Sequence, residues 1–400
     1  MEVFRLMSRR IAVVTTSRAD YGGLHPVLRA LRDDPDMELL VVATGMHLSD
    51  LHGHTVDAIA SDGFEIARRI TMLQEMDDEP SIVKSVGIGL IAFADAWAEL
   101  RPDFMVCLGD RFELMAPATA ALLQRVPIAH IHGGETSQGA VDEAVRHSVS
   151  KMASLHFPAA APYARRLIQM GEPPERIFMF GAPALDALYD RLPMTRSELA
   201  TRLRLDLDHP VALVTYHPVT LEIDDSEIQI SNLLDAIARS GVAAVFTRSN
   251  ADATGGRINA AIEAFTRSAP DRYRLLDHLG STLYFGCLQH LDLMIGNSSS
   301  GLVEAPSFHL PVVNIGNRQL GRLRARNVID SGYAVDAIVA AIERALSPKF
   351  RRSLESMDNP YDVFHDGKTS FRIKEKLKEI RAPRDLLMKN FHDLPLESGR

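Results

Sequence analysis

Short β-branched runs alternate along this chain with longer segments in which apolar residues recur every three or four positions. Ile11–Thr15, Leu39–Ala43, Phe104–Leu108 and Ile128–Ile131 read as strands, and Arg69–Met72 as a further one. Between them, Leu24–Leu31, Ser81–Leu100 and Glu113–Leu123 have helical spacing. The pattern restarts after Leu192-Pro193. Strands over Val211–Thr215, Ala243–Thr247, Leu291–Ile295 and Val312–Ile315 then alternate with helices over Ser226–Ala238, Arg257–Thr266 and Val335–Leu346. This βαβ alternation predicts an α/β protein with two Rossmann-like doubly wound parallel-sheet domains. The expected division is residues 1–190, residues 191–375, and a charged tail over 376–400 consisting of a helix and frayed chain. Ligands in such folds sit beyond the carboxyl ends of the strands. In a two-part protein that places them in the cleft between the parts.

Composition narrows the picture. The 400 residues, 46% of them hydrophobic, suit two domains of ordinary size. A formal net charge of -8 with no long basic run argues against nucleic acid and anionic membranes as bulk partners. Any bound phosphate must therefore be held by local arginines and helix ends. The two cysteines, Cys107 and Cys287, lie in or beside apolar segments and form no disulfide framework, as expected in a reducing compartment. Basic residues precede Ile11, but the apolar run there is too short for a signal peptide. The stretch Ile88–Phe93 is broken by Asp95, so no membrane span is expected, and the cytoplasm is the expected location.

Polar residues collect at the strand ends. Gly296 to Glu304 reads Gly-Asn-Ser-Ser-Ser-Gly-Leu-Val-Glu directly after a strand. Small hydroxyl residues between glycines let backbone N–H groups crowd an anion. Glu304 is placed to accept hydrogen bonds from sugar hydroxyls, so the segment predicts a clamp for a nucleotide's diphosphate and ribose. The plain alternative is an ordinary strand-to-helix turn.

The first strand ends in Ser17-Arg18-Ala19-Asp20-Tyr21-Gly22-Gly23, where Arg18 can reach a pyrophosphate and the glycines would open the next helix. Gly109-Asp110-Arg111 puts a carboxylate at a strand tip, where a helix N-cap is the plain alternative. His130 and His132 would share one face by strand periodicity, with Glu135 following. Asp142, Glu143, Arg146 and His147 fall on a predicted helix, with 142/146 and 143/147 one turn apart. This is the densest collection of acid/base groups in the chain. No spaced metal-ligand motif occurs, so neither metal nor cofactor is expected. From the second half come His217 ahead of Pro218, then Arg248, Asn250 and Arg257, and the loop Gly316 to Arg322. Arginine suits phosphate because its fork donates two bonds at once.

Together these motifs resemble the hydrolysing UDP-N-acetylglucosamine 2-epimerases of the UDP-sugar 2-epimerase family. The resemblance covers about residues 10 to 375. It rests on Ser17 through Tyr21, Gly109 through Glu113, His130 through Glu135, Asp142 through His147, His217-Pro218, Gly296 through Glu304, and the Asn317-Arg318-Gln319-Leu320-Gly321-Arg322 loop. Non-hydrolysing relatives usually carry a lysine-containing Arg-Pro-Glu sequence after the first strand and a Glu-Ala-Gly turn after the fourth, which this chain lacks.

The resemblance implies a glycosyltransferase-B-like fold. It implies removal of the C2 proton of UDP-GlcNAc, expulsion of UDP through a 2-acetamidoglucal, and hydration to free N-acetylmannosamine, feeding sialic-type (nonulosonic) acid biosynthesis. This would make the enzyme a hydrolase of a glycosyl bond. UDP contacts carry over to Arg18, Ala19, Arg111, Asn250, Ser298, Ser299, Glu304 and Arg318, and acid/base roles to Asp110, Asp142 and His217. Arg146, His147 and Arg257 join the substrate-binding candidates on position. A homodimer or homotetramer is also implied.

One position departs from the sialic-acid branch, which carries a catalytic Glu where this chain has His132. The His form resembles a subgroup acting on UDP- or GDP-2,4-diacetamido-2,4,6-trideoxyglucose, on the way to legionaminic-type sugars. The sugar is therefore open between the two, and the missing base between His132 and Glu135. A glycosyltransferase and a nucleotide-sugar sensor could share the fold and the clamp. The packed His132/Asp142 cluster argues against the acceptor cleft that a glycosyltransferase needs, and a sensor would not need the cluster.

Overall fold

The computed structural model describes residues 8–50, 54–74, 76, 78–138, 140–190, 193–219, 221–249, 254–277 and 279–395. Two six-stranded, all-parallel sheets carry the fold. The first holds β1 (Arg9–Thr15), β2 (Met37–Thr44), β3 (Ile66–Ile70), β4 (Phe104–Leu108), β5 (Ile128–Ile131) and β6 (Leu155–Phe157) in the order β3-β2-β1-β4-β5-β6. The second holds β7 (Val211–Thr215), β8 (Ala243–Thr247), β9 (Tyr273–Leu276), β10 (Leu293–Gly296), β11 (Val312–Ile315) and β12 (Val328–Ser331) in the order β12-β11-β10-β7-β8-β9. Counted from its own first strand, the second sheet repeats the winding of the first. Each reverses direction once, between β1 and β4 and between β7 and β10. The arrangement is two Rossmann-like units in a glycosyltransferase-B-like fold.

Alternation along the strands fills both faces. Ile11 and Val13 enter one core of the first sheet, while Ala12 and Val14 enter the other. Leu293 and Ile295 face one side of the second sheet and Met294 the opposite side. Each such fully buried aliphatic side chain contributes roughly 1.5–3 kcal/mol relative to exposure.

The sequence pattern found eight interior strands. The four edge strands differ. Arg69–Met72 was expected where β3 runs over Ile66–Ile70, and β6, β9 and β12 were not anticipated. All four lie at sheet margins, where polar residues such as Arg68, His156, Arg274 and Asp330 interrupt the apolar run.

Two further corrections concern helices. The first helix spans Arg18–Arg32, so Gly22 and Gly23 lie inside it rather than ahead of it. Asp20 turns back to accept the backbone N–H groups of Thr16 (2.7 Å) and Ser17 (2.9 Å), which starts the helix that early. The helix expected at the start of the charged tail over 376–400 begins earlier, at Thr369. The helix Thr369–Glu379 returns to the first unit and buries Ile373 and Leu377 in its core. Lys374 and Lys378 of this helix hold the buried Asp34 at 2.8 and 2.9 Å. Farther on, Lys389 reaches Glu172 at 2.8 Å.

Among the described residues one helix, Glu79–Leu100, is long and apolar enough to cross a bilayer. Phe93, Ala96 and Trp97 bury one face of it in the first unit, while Lys84, Asp95 and Glu99 are exposed. The helix packs on the first unit along that face, and Val83 and Ile91 are exposed on the other.

Candidate active site

The chemistry gathers where both sheets reverse direction. Segments after β1, β4, β5, β7, β10 and β11 meet around a cleft of about 160 Å³. Ala19, Asp110, Arg111, His132 and Asp142 line it from the first unit. His217, Ser298, Ser299, Glu304 and Arg318 line it from the second. A larger groove of about 570 Å³ opens elsewhere, beside Tyr189, Gln289, Asp358 and His365, and holds none of the predicted site residues.

On the first unit, β5 stops at Ile131 and the backbone turns left-handed at His132 (φ 63°). Histidine tolerates this region better than most residues, and such outliers gather at functional sites. The turn separates the two histidines that strand periodicity had put on one face. His130 stays in the sheet, its ring nitrogens 3.0 Å from Ser150 Oγ and 2.7 Å from the Gly109 carbonyl. Burial pushes its pKa down to about 3, so it remains neutral and structural. His132 instead reaches the cleft.

Behind His132 sits Glu135, fully buried and outside the lining. Its Oε1 lies 2.5 Å from His132 Nδ1. Its Oε2 accepts Arg146 Nη1 at 3.0 Å and also Arg322 Nη2 from the second unit. Burial alone would raise the Glu135 pKa, but His132 and Arg322 overcome that and hold it below the usual carboxylate value. Glu135 is thus an ionised acceptor. It fixes the imidazole with Nδ1 occupied and leaves Nε2 for the cleft.

Arg146 is fully buried and also donates through Nη2 to Asp110, at the tip of β4. Arg111 bonds the buried Glu113 at 3.0 Å while still facing the cleft. Asp142 is the first residue of the helix Asp142–Met152, where the helix dipole favours its negative charge. His147 lies 3.2 Å from Glu143, which in turn accepts Thr136 Oγ1 at 2.9 Å and the Ser137 N–H. That pair braces the loop after Glu135 and stands behind the cleft.

On the second unit, His217 is fixed by Asn297. Its N–H donates to Asn297 Oδ1 at 2.7 Å, and Asn297 Nδ2 donates to its carbonyl at 2.8 Å. This contact forces β7 and β10 together at Gly296 (φ 134°), where an added Cβ would lie 1.9 Å from the Thr215 carbonyl oxygen. Only glycine fits there. The Ser298–Ser299 turn and Glu304 follow. Burial pushes the Glu304 pKa up to about 7, and its Oε2 has no hydrogen-bond partner. Arg318 Nη1 touches the Asn297 carbonyl at 3.3 Å, and its Nε is buried without a partner.

The remaining candidates fall elsewhere. Arg18 is not in the lining; its Nη1 donates 2.5 Å to the Asp277 carbonyl of the second unit. Arg257 lies in the helix Gly255–Ser268, mostly exposed, in a pair with Glu227 at 3.0 Å and away from the cleft. Asn250 lies outside the described residues. Arg322, Gln319 and Ser137 also line the cleft but were not among the predicted site residues. The Asn317–Arg322 motif was the available signal for the first two.

A model of the family described as UDP-N-acetylglucosamine 2-epimerase matches residues 29–378. This chain belongs to that family. A similar relative is the UDP-N,N'-diacetylbacillosamine 2-epimerase (hydrolyzing) of Legionella pneumophila, 39% identical over 96% of this chain and 99% of that protein. The GDP/UDP-N,N'-diacetylbacillosamine 2-epimerase (hydrolyzing) of Campylobacter jejuni is 37% identical over 97% of this chain and 100% of its own length. The crystal structure of UDP-GlcNAc 2-epimerase from Neisseria meningitidis bound to UDP-GlcNAc superposes with a TM-score of 0.79 at 17% identity, covering 93% of this chain and 100% of that one. The last likeness is one of fold. The cleft carries Asp110, His132 and Asp142 on the first unit and Ser298, Ser299, Glu304 and Arg318 on the second.

Proposed function

We propose that this protein is a hydrolysing 2-epimerase acting on UDP-N,N'-diacetylbacillosamine, which is UDP-2,4-diacetamido-2,4,6-trideoxyglucose. The observation that carries the reading is the Glu135–His132 dyad facing the Ser298–Glu304 segment across one cleft. The 39% and 37% identical relatives, both named for diacetylbacillosamine donors, support this sugar over UDP-GlcNAc. The first unit acts as the sugar and acid/base domain, and the second as the nucleotide domain.

A base takes the C2 proton. The C2–H electrons become a C1=C2 double bond as the C1–O bond breaks, and UDP departs with that electron pair. Water then supplies a hydroxyl to C1 and a proton to C2 from the opposite face, releasing the free manno-configured sugar. The C2 proton is a very weak acid, so its base must be held in place. His132 and Asp142, on different elements of the cleft, handle the proton on the two faces of the ring. Asp110 supports that side through Arg146.

Ala19 at the amino end of the helix Arg18–Arg32, Arg111, Ser298, Ser299 and Arg318 receive the diphosphate, with His217 beside them. Such donors stabilise the charge that grows on the leaving group. Glu304 accepts the ribose hydroxyls. Arg18 and Asn250 complete the nucleotide contacts as the family motifs imply, while His147 and Arg257 serve outside the cleft.

The test is UDP or GDP release from UDP-N,N'-diacetylbacillosamine, its GDP counterpart and UDP-GlcNAc by the purified protein. The first should give the highest kcat/KM. Preferred turnover of UDP-GlcNAc would contradict the assigned sugar.

A further inference from the structure

Glu135 belongs to the first unit, yet one of its two guanidinium partners comes from the second. Arg322 lies in the loop after β11, donates to Glu135 Oε2, and is steadied by Gln319 Oε1 at 3.1 Å. The loop is a compact double turn, with Leu320 N to Asn317 O at 2.9 Å and Arg322 N to Gln319 O at 3.2 Å. Gln319 Nε2 ties it to the Asn297 carbonyl at 2.8 Å, at the root of the Ser298–Glu304 segment. Arg318 and Arg322 thus hang from one short frame, the first beside that segment and the second beside the dyad.

The same frame is pressed against the first unit. Gln138 N donates to Leu320 O at 3.3 Å, and Leu323 N donates to Tyr163 Oη at 2.9 Å. Gly321 (φ 82°) sits so close that an added Cβ would lie 2.9 Å from the Gln138 side chain and 3.0 Å from Thr136 Cγ2.

We propose that Arg322 is a positioning residue: clamping Glu135 from the second unit, it completes the Glu135–His132 dyad only when the two units are closed on each other. This rests on the reaction proposed above and adds a coupling between the nucleotide side and the acid/base side. At about 160 Å³ the cleft is below the roughly 300–1,000 Å³ of ordinary ligand pockets. A nucleotide sugar must therefore enter with the units apart and Arg322 withdrawn. Closure then brings Arg322 in with Arg318.

The surrounding groups leave this role to Arg322. Arg146, the other cation on Glu135, also holds Asp110 and Ser137 and moves with the first unit. Tyr163 and Tyr361 border the network, but burial raises both phenols and keeps them neutral. His130 is neutral as well, and Glu304 faces His132 and Arg322 from the second unit. When Arg322 is absent, Glu135 carries more uncompensated negative charge, which favours a proton on His132.

The experiment compares Arg322→Gln and Arg322→Lys with the parent protein in three readouts. These are UDP affinity, the pH profile of kcat/KM, and NMR titration of the His132 imidazole, which needs no turnover. Arg322→Gln should bind UDP within about threefold of the parent and lose on the order of 10² in kcat. Its acid limb and its His132 titration should both move to higher pH. Arg322→Lys should recover part of both losses and, if Arg322→Gln does not fold, carries the comparison alone. A uniform drop at every pH with an unmoved His132 titration would overturn the proposal, as would a fall in UDP affinity matching the fall in kcat. An absent parent activity beside a shifted His132 titration would count against the reaction and leave the clamp standing.

Discussion

Glu135→Gln is the most informative single change, because it alters one charge and almost no volume. In the parent protein the carboxylate is fully buried and faces His132, Arg146 and Arg322. The side chains of Arg146 and Arg322 are only 1% and 9% exposed. Replacing the acid by an amide leaves Arg322 in the interior without its counter-charge and Arg146 with Asp110 alone. Removing one member of a buried ion pair costs about 3–5 kcal/mol, a large share of the 5–15 kcal/mol typical of a folded protein. Denaturant unfolding at pH 7.5, followed by circular dichroism, should show a loss of that size.

The pH dependence has a definite sign. The folded Glu135 pKa lies below its ordinary value, so its contribution is fully present above an unfolded pKa of about 4.3 and is lost as pH falls through the folded value. The gap between parent and variant should therefore close below about pH 4. Under conditions where the variant is folded, kcat should fall by about 10²–10⁴, because the imidazole loses the negative charge that stabilises its proton. A variant within about 1 kcal/mol of the parent that keeps its turnover would refute the buried-network reasoning.

Other changes separate the parts of the account. His132→Gln should reduce kcat by about 10²–10⁴ while UDP affinity, measured by calorimetry, stays within a few-fold; a parallel loss of affinity would move His132 out of the acid/base role. Asp110→Asn should likewise keep UDP binding and lose turnover, and unchanged turnover would remove Asp110 from the mechanism. The buried Glu304, with its pKa pushed up to about 7, opposes folding by an amount absent below about pH 4.3 and growing as pH rises toward 7. Glu304→Gln should therefore raise the melting temperature of the free protein at pH 8 and not at pH 4.5, while weakening UDP binding. Leu377→Ala, in the returning helix, should cost about 2–5 kcal/mol in denaturant unfolding. A cost under about 1 kcal/mol would mean that this helix does not complete the first core.

The interior of both sheets was legible in the sequence because strands covered on both faces must be apolar throughout. The edges were not, since an edge strand keeps polar residues and can be as short as Leu155–Phe157. The returning helix was hidden for another reason. Its charge marked a tail, whereas Lys374 and Lys378 pair with Asp34, more than 300 residues earlier.

In the site, Asp110, His132, Asp142, Ser298 and Glu304, each singled out from one strand end or one turn, do line the cleft. What the sequence did not reveal were relations across the cleft, above all that Glu135 is shared by Arg146 and Arg322. Strand periodicity also failed at His132, where a left-handed residue ends the alternation. Arg257 looked like a phosphate ligand because it follows a strand, but helix placement turned it toward Glu227.

The central claim is elimination followed by hydration at C2. The most direct test is an NMR time course in D2O with UDP-N,N'-diacetylbacillosamine and no acceptor sugar. Elimination and hydration predict stoichiometric UDP together with a free manno-configured sugar deuterated at C2. Release of UDP with the C2 proton retained and the configuration unchanged would contradict it, pointing to simple hydrolysis. Turnover that begins only when an acceptor is added would contradict it as well, in favour of glycosyl transfer.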